Sequence, residues 1–116
     1  MARVMIVDDD RTTVTLLETL LSMDGFEVTL VARGSDVLPV ARRERPDIFL
    51  IDHNLSDVEG PEVIRALRAD PDFADAPIIL VSGLNVADEA RRVGASMFLI
   101  KPLEPSTLAD TLNSLL

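Results

Sequence analysis

Val4-Met5-Ile6-Val7 runs straight into Asp8-Asp9-Asp10, and the same arrangement returns as Ile48-Phe49-Leu50-Ile51 before Asp52, Ile78-Ile79-Leu80-Val81 before Ser82, and Met97-Phe98-Leu99-Ile100 before Lys101-Pro102. An uninterrupted apolar run of this length reads as a strand buried on both faces, the habit of parallel sheets. Parallel strands lay their carboxyl ends along one edge, and in open α/β sheets ligands bind at that edge. The four endings therefore predict one site furnished with acids, a hydroxyl and the only lysine of the chain.

The stretches between the runs carry helical periodicity, so strand and helix alternate to the C-terminus. Asp10, Thr12 and Thr13 offer N-caps to a first helix whose Val14, Leu17, Leu20 and Leu21 recur at three and four, and Gly25 ends the turn after it. Phe26–Val31 reads as a second strand in which Glu27 and Thr29 alternate with apolar neighbours. That pattern suits an edge with one wetter face, and the strand has no functional ending. Gly34-Ser35 opens a second helix carrying Val37, Leu38 and Ala41, with Pro39 tolerated in the first turn and Pro46-Asp47 as the stop. Gly60-Pro61 begins a third helix with Val63, Ile64 and Leu67, followed by an exit loop over Asp70–Asp75. A fourth, Val86–Val93, ends at Gly94, and a fifth begins near Pro105-Ser106 with Leu108, Leu112 and Leu115 spaced for one face.

Right-handed crossovers make this an α/β fold, a doubly wound five-stranded parallel sheet of flavodoxin-like order 2-1-3-4-5 with five helices on two faces. The order sets strand 1 beside strand 3. Asp8, Asp9 and Asp52 then converge at the topological switch point, flanked by Ser82 and Lys101.

Composition narrows the classes of function. A chain of 116 residues, 47% hydrophobic and 27% charged, reads as a single domain over residues 1–116. The longest apolar stretch falls far short of the ~18 residues a membrane span needs, so no membrane association is expected. There is no signal-peptide pattern at Met1-Ala2-Arg3 and no cysteine, which suits a cytoplasmic location. The net charge of −9 repels phosphate backbones and argues against direct nucleic-acid binding. It serves solubility, or it faces a basic partner surface.

Three carboxylates at one point repel one another unless some are protonated or a cation is bound. All-oxygen ligation favours Mg²⁺, which works alongside substrate phosphate, so a phosphoryl group is the expected substrate. Lys101 supplies a cation for a phosphate oxygen, Ser82 a hydroxyl donor, and Asp52 a carboxylate nucleophile able to form an acyl phosphate. No G-x-x-x-x-G-K-[ST] loop is present, so nucleotide binding of that kind is not indicated.

With Asp8-Asp9 after the first strand, Pro46–Asp52, Ser82, and Gly94-Ala95 leading to Lys101-Pro102, the chain resembles a response-regulator receiver domain of two-component signalling from end to end. The resemblance implies that Asp52 accepts phosphate from a phosphohistidine partner, a sensor histidine kinase or phosphotransfer protein. It implies Mg²⁺ held by Asp9, Asp52 and the main-chain carbonyl of Asn54, with Asp8 acting through water. Lys101 would pair with the phosphoryl group, and Ser82 would move to meet it. Phe98 matches the family's switch aromatic, though core packing accounts for it equally. A downstream protein or domain would read the surface of helix 4, strand 5 and helix 5. Such a domain is no enzyme beyond catalysing its own phosphorylation and dephosphorylation. A cis peptide is usual between the residues matching Lys101 and Pro102.

Some positions stand apart. His53, the only histidine, lies where family members vary and is left outside the site, and Asp10 fits a helix start better than a metal ligand. Leu84 puts an apolar group where many receivers are polar, and with Asn54 it bears on water access to an acyl phosphate. Ser56 replaces the proline usual four residues after the phosphorylated aspartate, so a looser loop is expected from Asp52 to Gly60. Two other functions compete. A Mg²⁺-dependent phosphohydrolase with an aspartyl nucleophile would need an acid where Asn54 stands, and an unphosphorylated interaction module would bind partners regardless of Asp52.

Overall fold

Successive side chains of a strand point to opposite faces, so a strand apolar at every position must be covered on both. The computed structural model, which describes residues 1–116, shows how that is done. The strands are β1 (Arg3–Val7), β2 (Glu27–Val31), β3 (Ile48–Asp52), β4 (Ile78–Ser82) and β5 (Met97–Ile100). They alternate with helices α1 (Arg11–Met23), α2 (Val37–Glu44), α3 (Gly60–Ala69), α4 (Ala87–Val93) and α5 (Pro105–Leu115). All strand pairs are parallel, in the order β2-β1-β3-β4-β5. This is the doubly wound, flavodoxin-like sheet expected from the apolar runs.

Two cores lie on the two sides of the sheet. Met5, Val7, Phe49, Ile51, Ile78 and Leu80 pack with Val37 and Ala41 of α2, Val63, Ile64 and Leu67 of α3, and Ala90 and Val93 of α4. The intervening residues Val4, Ile6, Ile48, Leu50, Ile79 and Val81 pack with Val14, Leu17 and Leu21 of α1 and Leu108 and Leu112 of α5. Neighbouring residues on β1, β3 and β4 thus belong to different cores. The edge strands are wetter: β2 exposes Glu27 and Leu30, and β5 exposes Ile100.

Local signals place the helix ends. Asp10 caps α1, its carboxylate accepting from the Thr12 and Thr13 amides at 3.1 and 3.3 Å. The second helix differs from expectation: Gly34–Asp36 forms a 3₁₀ turn and the α-helix starts only at Val37. It ends on Arg45 in the left-handed region at φ 53°, while Gly94 closes α4 at φ 89°. The Asp70–Asp75 loop is more than an exit. Asp70 is buried, accepting from the Asp72 amide at 2.9 Å and from Arg42 at 2.7 Å, and Phe73 meets Phe49 edge to face at 5.6 Å.

Arg68 of α3 fastens this corner. Its guanidinium donates to the carbonyls of Gly94 at 2.9 Å, Phe73 at 3.1 Å, Ala74 at 3.0 Å and Ala76 at 2.7 Å, joining α3 to the entry of β4 and the end of α4. Arg68→Met keeps much of the aliphatic stem but leaves these carbonyls without their donor. It should lower unfolding stability by about 2–3 kcal/mol, seen as a shifted urea midpoint at unchanged slope, with Arg68→Lys recovering only part.

Candidate functional site

The sheet ladder continues one residue past several strand ends, which fixes how the terminal side chains point. The Asp8 amide donates to the Val31 carbonyl at 3.1 Å, that of His53 to Val81 at 2.8 Å, and that of Lys101 to Ser82 at 2.8 Å. Counting by two from the core residues puts Asp8, Asp52 and Lys101 on the α1/α5 side, continuing Ile6, Leu50 and Leu99. The same count puts Ser82 on the other side with Leu80 and Phe98.

Distances agree with that parity. Lys101 Nζ lies 2.9 Å from Asp52 Oδ1 and 3.7 Å from Asp8 Oδ2. One carboxylate oxygen from each of Asp8, Asp9 and Asp52 falls within 4.8 Å of the others, with Asp8 and Asp52 buried and Asp9 exposed. Burial raises the Asp8 carboxyl above its ordinary value, and the Asp52 charge pushes the same way against the Asp10 amide and Lys101. Burial pulls Lys101 down, but its hydrogen bond to Asp52 and the charges of Asp52 and Asp8 leave it raised overall. Asp8 and Asp52 thus share one lysine, with Asp9 beside them. An all-oxygen cluster of that net sign fits a hard divalent cation.

Ser82 is buried and does not touch the acids; its Oγ accepts from the Leu84 amide at 3.1 Å. Phe98 is half-buried against the α2/α3/α4 core, and Leu84 is 75% exposed. Asn54 follows Asp52 on the loop, its side chain 3.2 Å from His53 Nδ1. The Lys101-Pro102 peptide is cis.

The loop in which Ser56 was expected to loosen the chain is fastened at two points. Gly60 donates its amide to the His53 carbonyl at 2.8 Å, and a Cβ on Gly60 would stand 2.2 Å from the Asp52 carbonyl oxygen, so only glycine closes the neck. Farther out, the Asp57 carboxylate accepts from the amides of Gly34 and Ser35, both at 2.9 Å. Those two amides, that of Ser35 foremost, hold the Asp57 carboxyl well below the usual carboxylate range.

The family model for the response regulator receiver domain matches residues 4–113. The chain belongs to that family. Protein PilH of Pseudomonas aeruginosa is 33% identical over 119 residues, an alignment covering 100% of this chain and 98% of PilH. The chemotaxis protein CheY4 of Vibrio cholerae has the same fold at a TM-score of 0.94 and 31% identity, covering 100% of this chain and 99% of that one. The receiver domain of a sensor histidine kinase from P. aeruginosa, solved with a magnesium ion coordinated in its active site cleft, matches at a TM-score of 0.89 and 29% identity. That match covers 98% of this chain and 96% of the other. The chain spans only 26% of another matched regulator, so receivers of this kind also occur within longer proteins. No helix of this receiver is long and apolar enough to cross a membrane.

Two residues of the site region were missed from sequence. Asp57 is one acid among twenty Asp and Glu residues, and its partners lie more than twenty positions away. The available signal was on the other side: Arg33 precedes the Gly34–Asp36 turn and supplies no side-chain cap, so the amides there needed an acceptor from elsewhere. Glu89 of α4 was also missed; its Oε1 lies 2.6 Å from His53 Nε2. Burial pulls the His53 imidazole down, but Glu89 and Asn54 together raise it above its ordinary 6.5.

A raised histidine binds its proton more tightly folded than unfolded, so the pair stabilises below the unfolded value and the contribution is lost as pH rises through the folded one. Glu89→Gln should cost about 0.5–1 kcal/mol at about pH 6 and nothing at about pH 9, and should lower the His53 titration midpoint followed by NMR. Equal losses at both pH values would assign the contact to packing.

Proposed function

We propose that residues 1–116 act as one cytoplasmic receiver unit that takes a phosphoryl group from a phosphohistidine partner onto Asp52. In this step the P–N bond of the donor breaks and a bond forms between phosphorus and an Asp52 oxygen. The observation that carries it is the Lys101 ammonium 2.9 Å from Asp52 Oδ1, beside two further acids at the switch point. Mg²⁺, when held by Asp9, Asp52 and the Asn54 main-chain carbonyl with Asp8 acting through water, would supply charge neutralisation for the phosphoryl oxygens.

The chain's own residues divide the remaining work. Asp52 is the nucleophile. Lys101, already paired with it, is the counter-cation for a phosphoryl oxygen. Asp8 is held against Lys101 and keeps that ammonium charged. Ser82 accepts from the Leu84 amide and lies on the other side of the sheet from Asp52, so bringing its free O–H to the phosphoryl group requires its loop to shift. Phe98 shares the Ser82 side of the sheet, and a shift there opens room for the ring to turn. The consequence would reach the face of α4, β5 and α5, where Asn85, Phe98, Ile100 and Leu103 line a cleft of about 610 Å³. An output protein or domain would read that face.

Incubation with Mg²⁺ and a small phosphodonor should give acid-stable, hydroxylamine-labile phosphate on the protein. Asp52→Asn should reduce incorporation to background, and Lys101→Met should slow it by about 10²-fold. Incorporation that survives Asp52→Asn would overturn the assignment.

A further inference from the structure

None of the amides from Asn54 to Glu59 donates a hydrogen bond to another main-chain group. By backbone alone this segment is held only where it leaves and rejoins the fold, by the bond from Gly60 to His53 at the neck and by the Glu59 carbonyl, which accepts from the Glu62 and Val63 amides of α3. Its tip is held by Asp57, whose two oxygens each take one amide from the 3₁₀ turn that leads into α2, those of Gly34 and Ser35. Gly34 allows that approach: a Cβ there would meet Val58 Cγ2 at 2.2 Å and Val63 Cγ2 at 2.9 Å. Asn54 lies between the neck and this clamp.

We propose that Asp57 is a positioning residue which, by clamping the loop to the Gly34 and Ser35 amides, holds the Asn54 main chain at the acidic cluster. The inference rests on reading that cluster as a Mg²⁺ site. Asp57 touches neither the cation nor the phosphoryl group. It acts through backbone: with both ends of the segment fixed, the chain leaving Asp52 has little freedom, and the Asn54 carbonyl is set before any ligand arrives. A carboxylate suits the task better than an amide, since both of its oxygens accept, whereas asparagine has one acceptor and would turn its NH₂ toward the second N–H.

Mg²⁺ alone, titrated by calorimetry into the full chain without phosphodonor, tests this together with NMR order parameters for residues 54–59. Asp57→Ala should raise the Mg²⁺ dissociation constant about tenfold and lower the order parameters of the loop while those of the sheet stay unchanged. Asp57→Asn, retaining one acceptor, should fall between, and it serves as the informative variant if the alanine protein does not fold. Variants that lose stability yet bind Mg²⁺ as tightly as the wild type would overturn the proposal and leave a purely structural clamp. A wild type that binds no Mg²⁺ would overturn the reading of the cluster itself, and the inference with it.

Discussion

The period of two along a parallel strand governs both the stability and the site of this receiver. Because each of β1, β3 and β4 alternates between two cores, the polar residue reached at its end inherits a side. Asp8, Asp52 and Lys101 inherit the α1/α5 side and meet there, while Ser82 and Phe98 inherit the α3/α4 side and do not touch them. A slip of one residue in any strand would bury a charge in the wrong core and carry an apolar residue to the mouth. The register that fills the cores is therefore the register that builds the site.

Electrostatics then makes the site poised rather than settled. Lys101 is the only lysine and serves two buried carboxylates, the closer at 2.9 Å. Burial leaves the Asp8 carboxyl raised even with that ammonium beside it. Of the charges that act on Asp8, those of Asp52, Lys101 and Asp10, only Lys101 is positive; Arg68 and Arg42 are engaged elsewhere, on carbonyls and on Asp70. A cluster left short of positive charge favours uptake of a cation, and a phosphoryl group arriving on Asp52 would compete with Asp8 for the same ammonium.

What could be read from residues alone follows the range of the interactions. The apolar runs, the helix spacing and Asp10 as a cap are local patterns, and the order of the sheet follows once the crossovers are right-handed. The convergence of Asp8, Asp9, Asp52 and Lys101 was legible because it needs only strand ends and strand order. Asp57, Glu89 and Arg68 were not, because each bonds to a distant element: Asp57 and Arg68 meet main-chain amides and carbonyls, which carry no residue-type signature, and Glu89 meets a histidine 36 positions away. The 3₁₀ start of the second helix was hidden for a related reason. Its first amides are satisfied by Asp57 from a different loop, so no capping residue marks the spot.

The same contacts divide the mouth of the site into a held half and a free half. On the β3 side, Gly60 locks the neck of the loop and Asp57 its tip. On the β4 side, the space around Gly83 is open, Leu84 is exposed, and Val86 ahead of α4 lends no side-chain cap, leaving Asn85 Oδ1 to accept from the Ala87 amide at 3.1 Å. α4 is tethered instead at its far end, by Arg68 on Gly94, and part-way along by Glu89 on His53. In the proposed switch, a short helix pinned behind and more lightly held in front would follow the Ser82 loop without unfolding the sheet. Motion in that switch would run toward the α4, β5 and α5 face, because the opposite wall of the site is tied down.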